Sequence, residues 1–195
     1  MQAIHDIGRA IVMATANSRD AARRRMIISP AAERAFLKET GLKNSKFLEV
    51  MIFNEFMYFY IFMTTREVRI QKMSRPQFED VRDLLLTSLS KVSIAAYFDD
   101  WSHELKEKML GEFYGKLHDA EREYDQSVRP DSTEQEQLTA LFSKIGSNVS
   151  QLCNSEDETI VVRAVAEITK HEWIGMEMQR RITEARHAYR EQSPK

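Results

Sequence analysis

The stretch from Phe47 to Met63, FLEVMIFNEFMYFYIFM, decides the fold of this chain. Large apolar side chains lie on every side of a helical wheel drawn through it, and it contains no glycine or proline. A helix of this kind has to be covered on all sides, so it is either the central helix of a bundle or a membrane span.

The charge pattern of this stretch favours the bundle. Its longest charge-free run extends only from Phe56 to Thr65, whereas a membrane span needs about 20 apolar residues. Glu49, Asn54 and Glu55 would each be costly in lipid. We therefore predict no transmembrane segment, and an all-α, single-domain antiparallel bundle of six to seven helices with this stretch at its axis.

The composition agrees with one globular domain. The chain has 195 residues and a net charge of −2, with 43% hydrophobic and 30% charged residues. A chain of this length can bury a sizeable core without covalent staples. The single cysteine, Cys153, excludes an internal disulfide, and the N-terminal residues lack the long apolar core of a secretory signal. We predict a cytoplasmic protein.

Apolar residues at helical spacing predict seven helices, and the few glycines and prolines favour long ones. The predicted ranges are 4–16 with an extension to 26 left open, 30–40, 46–73, 77–98, 101–124, 134–152 and 156–190. The third turns polar after Thr64, so we expect that end to protrude or meet solvent. In the last, Gly175 is a place where the helix can bend. Residues 1–28 are predicted to form an amphipathic basic helix or arm, and residues 29–195 the bundle domain.

Four local signals mark helix ends. They are Ser29-Pro30, Gly41, Thr133 with Glu136, and Ser155 with Glu158. The first is an N-cap serine followed by proline at the first helical position, and the second is a C-cap glycine. The last two are predicted capping boxes, in which side chain and backbone bond reciprocally.

Charge is distributed unevenly along the chain. Residues 1–46 contain nine Lys/Arg against four Asp/Glu, a balance of +5, and residues 99–136 contain five against twelve, a balance of −7. We favour the interpretation that these segments face each other or line solvated surfaces. The alternative is that the densest basic cluster, Arg23, Arg24 and Arg25, binds a partner.

Glu55 is the acidic residue with the most apolar predicted surroundings. Its neighbours three and four places away on a helix are Met51, Ile52, Tyr58 and Phe59, which are large and mostly apolar. A carboxylate there loses hydration, so it must be paired, be neutralised by a raised pKa, or line a polar pocket. We favour a structural bond to another helix, and the alternative is a site for a small ligand or a metal.

The same stretch could line an adaptable hydrophobic pocket, because methionines are interleaved with aromatic residues along it. Asn54 would supply a second polar group at the depth of Glu55. The candidate ligand-binding residues are Glu55, Asn54, Met51, Tyr58 and Phe59. The competing interpretations are an ordinary core helix and a homodimer interface.

Metal-binding motifs are incomplete. A di-metal site in a bundle needs several glutamates and two Glu-x-x-His pairs. Glu184 and His187 have that spacing once, among several arginines, and Asp100 with His103 is a looser version. We predict no metal site from these residues.

Catalytic motifs are also incomplete. Glu167 and His171 lie one turn apart, which is half of a general-base arrangement, and we favour an exposed helix pair. Cys153 ends an apolar seam and is predicted to be a buried structural thiol. Phosphate-binding glycine loops, GxSxG and HExxH are absent from the sequence, so we predict no cofactor and favour a non-enzymatic role.

Three functions remain open, in this order. The first is a protein that acts through protein–protein contact, including self-association, for example as a homodimer. The second is a bundle that binds a small apolar ligand or a metal beside Glu55, with an enzymatic role possible. The third is contact of Arg23, Arg24 and Arg25 with nucleic acid or an anionic membrane, although the slightly acidic chain argues against nucleic acid.

Overall fold

A computed structural model describes most of the chain. The described residues are 2–41, 46–71, 74–76, 78–80, 82–83, 85–87, 89, 103–155 and 157–192. Seven helices span these residues: α1 Gln2–Arg24, α2 Pro30–Thr40, α3 Lys46–Ile70, α4 His103–Ser127, α5 Glu134–Leu152, α6 Glu158–Gly175 and α7 Met178–Gln192. Further helical residues lie between 75 and 89, and no strand occurs in the described ranges. The predicted all-α bundle with a central apolar helix is confirmed.

Helix α3 is the central element, in contact with α1, α4, α5 and α7. Its aromatic side chains form the core: Phe56, Phe59 and Tyr60 are fully buried. The helix is long and apolar enough to cross a membrane by length and composition, and 72% of its most apolar window is buried inside the molecule. Its neighbours therefore supply the cover that an all-round apolar helix requires.

The C-terminal part of α3 differs from the prediction. Burial continues past Thr64 through Thr65, Glu67 and Val68, and only the last residues, including Ile70, are exposed. The buried Glu67 carboxylate has a polar partner, because it accepts a hydrogen bond from Gln71 Nε2 at 3.1 Å. The end of the helix meets solvent as expected, but only from Arg69 onwards, because the core extends to Val68.

Helix α1 packs its apolar face, including Ile7 and Ile11, into the same core as α3. The hydroxyls of Ser18 and Tyr60 share a hydrogen bond of 2.7 Å in the buried contact between the two helices. Helix α1 also contacts α6, where Asn17 Nδ2 of α1 donates to Glu172 Oε2 at 3.0 Å. The predicted boundary at residue 28 stays a prediction, but the inner face of α1 belongs to the shared core.

Three of the four predicted helix-end signals are confirmed. Ser29 Oγ accepts from the backbone N–H of Ala32, and Gly41 ends α2 with a φ of 70°, in the left-handed region that suits glycine. Thr133 and Glu136 form the reciprocal capping box of α5. Each of these signals uses atoms within four residues, so the local sequence is enough to specify it.

The second predicted capping box was wrong. Asp157, not Ser155, is the N-cap residue of α6. Ser155 Oγ accepts the backbone N–H of Asp157 at 3.2 Å, which closes a turn before the helix begins. Glu158 is therefore the first helical residue, where it cannot reach back to Ser155 as a capping-box partner would.

The predicted last helix is two helices. Helix α6 ends at Gly175, and α7 begins at Met178. Between them Glu177 has a φ of 48°, a left-handed conformation that interrupts the helical hydrogen bonds. Arg181 Nε donates to the carbonyl of Met176 at 2.8 Å and so supports the break.

Candidate functional site

Glu55 lies where α3 meets α4 and α5, and its carboxyl group receives hydrogen bonds from both neighbours. Tyr124 Oη, on α4, donates to Glu55 Oε1 at 2.7 Å. Asn148 Nδ2, on α5, donates to the same oxygen, also at 2.7 Å. Two donors from separate helices thus hold one carboxyl oxygen of α3.

Burial raises the pKa of Glu55 above its ordinary value of 4.5, because the charged carboxylate is less well solvated there. The hydrogen bonds from Asn148 and Tyr124 oppose this rise in pKa by stabilising the anion. Nearby Glu123 raises the pKa further, and Lys144 lowers it. Burial is the largest influence, so the site favours a neutral Glu55 more than water does.

The Tyr124 hydroxyl remains a donor throughout the physiological range. Burial, and then the neighbouring Glu55 carboxylate, raise the pKa of Tyr124 well above 10.0. The ring is fully buried, and its centroid lies 5.4 Å from that of Phe59 and 5.3 Å from that of Phe62. Packing therefore fixes the direction from which the phenol donates to Glu55.

A pocket of about 510 Å³ opens beside this carboxyl group. Its lining residues come from α3, α4 and α5: Phe47, Val50, Met51, Asn54, Glu55, Tyr58, Glu112, Phe113, Lys116, Glu123, Asn148, Gln151 and Leu152. Apolar walls with a few convergent polar groups are the usual composition of a small-molecule site, and the volume lies within the range of about 300–1,000 Å³ found for such sites.

Four of the five predicted ligand-binding residues meet at this pocket, namely Met51, Asn54, Glu55 and Tyr58. Met51 is 37% exposed, so its flexible side chain lies towards the mouth. Tyr58 is buried, with its ring centroid 5.1 Å from that of Phe113 on α4. These residues come together because α3 carries them on one face.

Phe59 does not line the pocket. Its side chain is fully buried. Its ring lies 5.4 Å from that of Tyr124 and 5.7 Å from that of Phe142, between centroids. These two rings, from α4 and α5, cover it, so Phe59 supports the wall behind Glu55 and does not face the pocket.

The α4 and α5 side of the pocket was not predicted. Tyr124 and Asn148 are 69 and 93 residues from Glu55 in the chain. No local motif joins either residue to Glu55, so only the packing of three helices reveals the arrangement.

Comparison with known proteins gives no information on the function of this chain. The chain matches no protein-family model, no curated protein and no solved structure. The geometry at Glu55 therefore carries the functional argument.

The basic cluster is partly neutralised within the chain. Arg23 Nη2 lies 2.8 Å from Glu49 Oε2 and 3.8 Å from Glu33 Oε1. Arg25 Nη1 donates to Glu167 Oε2 at 3.0 Å, while Arg24 is exposed. Contact of this cluster with nucleic acid or an anionic membrane stays a prediction, but two of its three charges already face acidic partners.

The remaining sequence candidates do not assemble into a site. Glu184 forms an ion pair with Arg180 at 2.7 Å. Asp100, the residue considered together with His103, lies outside the described residues. No group of three metal-ligating side chains occurs in the ranges that the structure describes. Glu167 binds Arg25, and exposed His171 lies 3.5 Å from Glu172 rather than beside Glu167.

Cys153 is buried, as the apolar seam predicts, and burial raises the pKa of its thiol to about 11. A thiol with a raised pKa is mostly protonated at neutral pH and is a poor nucleophile. This agrees with a packing role at the end of α5.

The pKa of Glu55 predicts a specific pH dependence of stability. Because the folded-state pKa is raised above 4.5, the contribution of Glu55 is fully favourable below that pH and is lost as pH rises through the folded pKa. Glu55→Gln removes this loss. We expect its free energy of unfolding, relative to wild type, to rise as pH increases from 4.5 through the folded-state pKa of Glu55, because only wild type has to ionise this carboxyl group against its burial.

Urea unfolding at a series of pH values measures this difference. Exposed Glu39 on α2 provides the matched control, since Glu39→Gln removes a carboxyl group from the surface. A free energy of unfolding of Glu55→Gln that stays constant or falls relative to wild type with increasing pH would contradict a raised pKa of Glu55.

Proposed function

We propose that this protein binds a small amphiphilic molecule in the pocket between α3, α4 and α5, with the polar end of the molecule at Glu55. The observation that carries the proposal is a half-buried carboxyl group, held by two donors, in the wall of a pocket of about 510 Å³. A carboxyl group taken out of water at a pocket wall needs a polar partner, and a ligand can supply it.

The apolar body of the ligand would lie along the walls. Phe47, Val50 and Met51 of α3 form one side, while Phe113 of α4 and Leu152 of α5 form the others. A methionine at the mouth can adapt its shape to different occupants. This lining favours an aliphatic or aromatic body over a sugar or a nucleotide, which would need many more hydrogen-bonding groups.

The polar end would meet Glu55 Oε2. Both hydrogen bonds described for this carboxyl group are accepted by Oε1. The second oxygen is therefore the one that a ligand can engage without displacing Tyr124 or Asn148. The described lining contains no serine, cysteine or histidine to act as a nucleophile, and we propose binding rather than catalysis.

An NMR titration with octylamine, octanol and octanoate tests the proposal. We expect saturable shifts of backbone amides around the pocket with at least one of these probes. Met51→Trp, which places a large ring at the mouth, should weaken binding by about tenfold or more by filling space that the ligand needs. Ile174→Trp on α6 is the control, because Ile174 is 65% exposed and lies outside the pocket lining.

Two results would contradict the proposed function. One is the absence of saturable shifts with all three probes. The other is binding to Met51→Trp with the affinity of wild type, which would place the bound probe elsewhere on the molecule.

Contact with another protein, including a second copy of this chain, is the second candidate. It is favoured by large apolar side chains that remain exposed on two neighbouring helices and the turn after α1. They are Met13 at 59%, Met26 at 65%, Ile160 at 66% and Ile174 at 65%. Exposed single apolar residues are common on monomers, so this candidate ranks below the pocket.

Light scattering after size-exclusion chromatography tests self-association. If the exposed residues of α6 form a homodimer contact, the wild type should have the mass of a dimer and the double variant Ile160→Asp, Ile174→Asp that of a monomer. A wild type that is monomeric at high concentration would remove the homodimer, and a variant that stays dimeric would place the contact elsewhere.

A further inference from the structure

We propose that the polar end of the bound molecule is a protonated amine, which donates hydrogen bonds to Glu55 Oε2 with its apolar chain along the pocket walls. This inference rests on the proposed function and names the chemical class of the ligand. It follows from the direction of the hydrogen bonds at Glu55, from the charges of the lining and from the acceptors that the lining offers.

The hydrogen bonds at Glu55 suit an ionised carboxylate. A phenol hydroxyl and an amide N–H₂ group, from Tyr124 and Asn148, both donate to Oε1. An ionised carboxyl group only accepts hydrogen bonds, so its second oxygen also requires a donor. A ligand with an N–H or O–H group satisfies it, whereas a ligand that offers only acceptors does not.

The charges around the pocket favour a cation among these donors. Three carboxyl groups line it, those of Glu55, Glu112 and Glu123, against one lysine, Lys116. Glu123 forms an ion pair with Lys144. Counting both lysines, the surroundings keep an excess of one negative charge when all three acids are ionised. A positive ligand balances that excess, and a carboxylate ligand increases it.

An ammonium group also matches the acceptors of the lining. It carries three N–H donors and no acceptor. Glu55 and Gln151 line the pocket and carry side-chain carboxylate or carbonyl oxygens. An alcohol has a single donor, so it can satisfy Glu55 Oε2 but cannot use several acceptors at once.

Desolvation at Glu55 gives the interaction its strength. Burial raises the pKa of Glu55, which means that the anion is poorly compensated by its surroundings. A cation placed beside this carboxyl group stabilises the anion in a medium of lower dielectric constant than water. An ammonium ion bound there therefore gains more than it would at a solvated surface carboxylate.

Three probes with the same octyl chain separate the possible head groups. We expect wild-type protein near pH 7 to bind octylamine about tenfold more tightly than octanol, which corresponds to one charge-assisted hydrogen bond, and octanoate most weakly. Dissociation constants come from the NMR titrations, at probe concentrations below micelle formation. Nuclear Overhauser contacts should join the methylene group beside the nitrogen to the side chain of Glu55.

Glu55→Gln isolates the charge. It keeps an oxygen that can accept from Tyr124 and Asn148, so the fold and the apolar walls should persist. We expect the variant to lose about tenfold in affinity for octylamine with little change for octanol. Glu39→Gln, which changes an exposed carboxyl group on α2, should keep the wild-type preference.

The outcomes distinguish this inference from the proposed function. Octanol or octanoate binding as tightly as octylamine, or an amine preference that survives in Glu55→Gln, would overturn the amine assignment while the pocket remained a binding site. Contacts of the octyl methyl end, rather than the amine end, with Glu55 would do the same. Failure of all three probes to bind would overturn both.

Discussion

Replacement of Phe59 by alanine is expected to lower the free energy of unfolding by about 3–5 kcal/mol, the range for removal of a large aromatic side chain from a core. Phe59 is fully buried in α3. Its ring centroid lies 5.6 Å from that of Tyr60, 5.4 Å from that of Tyr124 and 5.7 Å from that of Phe142. Removal of the ring leaves a cavity against partners from several helices.

Urea denaturation followed by circular dichroism measures this loss. Lys170→Ala is the control, because this side chain is exposed on α6 and its truncation leaves no buried cavity. We expect the control to stay within about 0.5 kcal/mol of wild type, as exposed substitutions usually do. Comparable, small effects for the two variants would mean that α3 is not the enclosed axis of the bundle.

Gly146→Ala is the second change expected to be strongly destabilising, by about 1–3 kcal/mol, the usual cost of adding a methyl group to a tightly packed contact. A Cβ atom at Gly146 would lie 2.5 Å from the carbonyl oxygen of Val162 and 2.8 Å from its Cα. Both are backbone atoms of α6, so no side-chain rotation relieves the overlap. Helices α5 and α6 would have to separate.

Gly115→Ala provides a matched control for this prediction. Gly115 lies in the interior of α4, and a Cβ atom there would meet nothing within 4 Å. Alanine in a helix is favoured over glycine by about 0.5–1 kcal/mol, so thermal and urea unfolding should show Gly115→Ala to be more stable than wild type. A stabilising effect of Gly146→Ala as well would contradict the close approach of α5 and α6.

The sequence predicted those features that depend on neighbouring residues. The all-round apolar pattern of Phe47–Met63 was sufficient to identify the central helix, because no other soluble arrangement buries it. The caps at Ser29, Gly41 and Thr133 were predicted because their hydrogen bonds close within a few residues. The demanding position of Glu55 was also visible, since its helical neighbours are apolar.

Features that depend on packing between distant residues could not be predicted. The donors to Glu55 come from α4 and α5, and Glu49 pairs with Arg23 of α1 at 2.8 Å. The pocket exists only because three helices leave a gap at Glu55. The net charges of long segments did not predict these contacts, since a net charge does not specify which residues pair.

Backbone geometry accounts for two further differences. The last predicted helix was expected to bend at Gly175, but Gly175 remains helical and the break follows it, where Glu177 adopts a left-handed conformation. Non-glycine residues visit this region seldom, so the sequence pattern gave no warning. Ser155 resembled a helix cap, but a turn intervenes and Asp157 takes that position.

Ligand binding at Glu55 would connect the stability of the bundle to its function. A molecule that binds the folded state alone raises the free energy of unfolding as its concentration increases. Here the ligand would also compensate a carboxyl group whose burial destabilises the folded state at neutral pH. Octylamine should therefore raise the melting temperature of wild type more than that of Glu55→Gln.

The most direct test is an NMR titration of the Glu55 side-chain carboxyl carbon, assigned through its absence in Glu55→Gln. We expect a pKa above 4.5 in the free protein, and a lower pKa when octylamine is bound, because the ammonium group stabilises the anion. A pKa at or below 4.5 in the free protein, or one that saturating octylamine leaves unchanged, would contradict it.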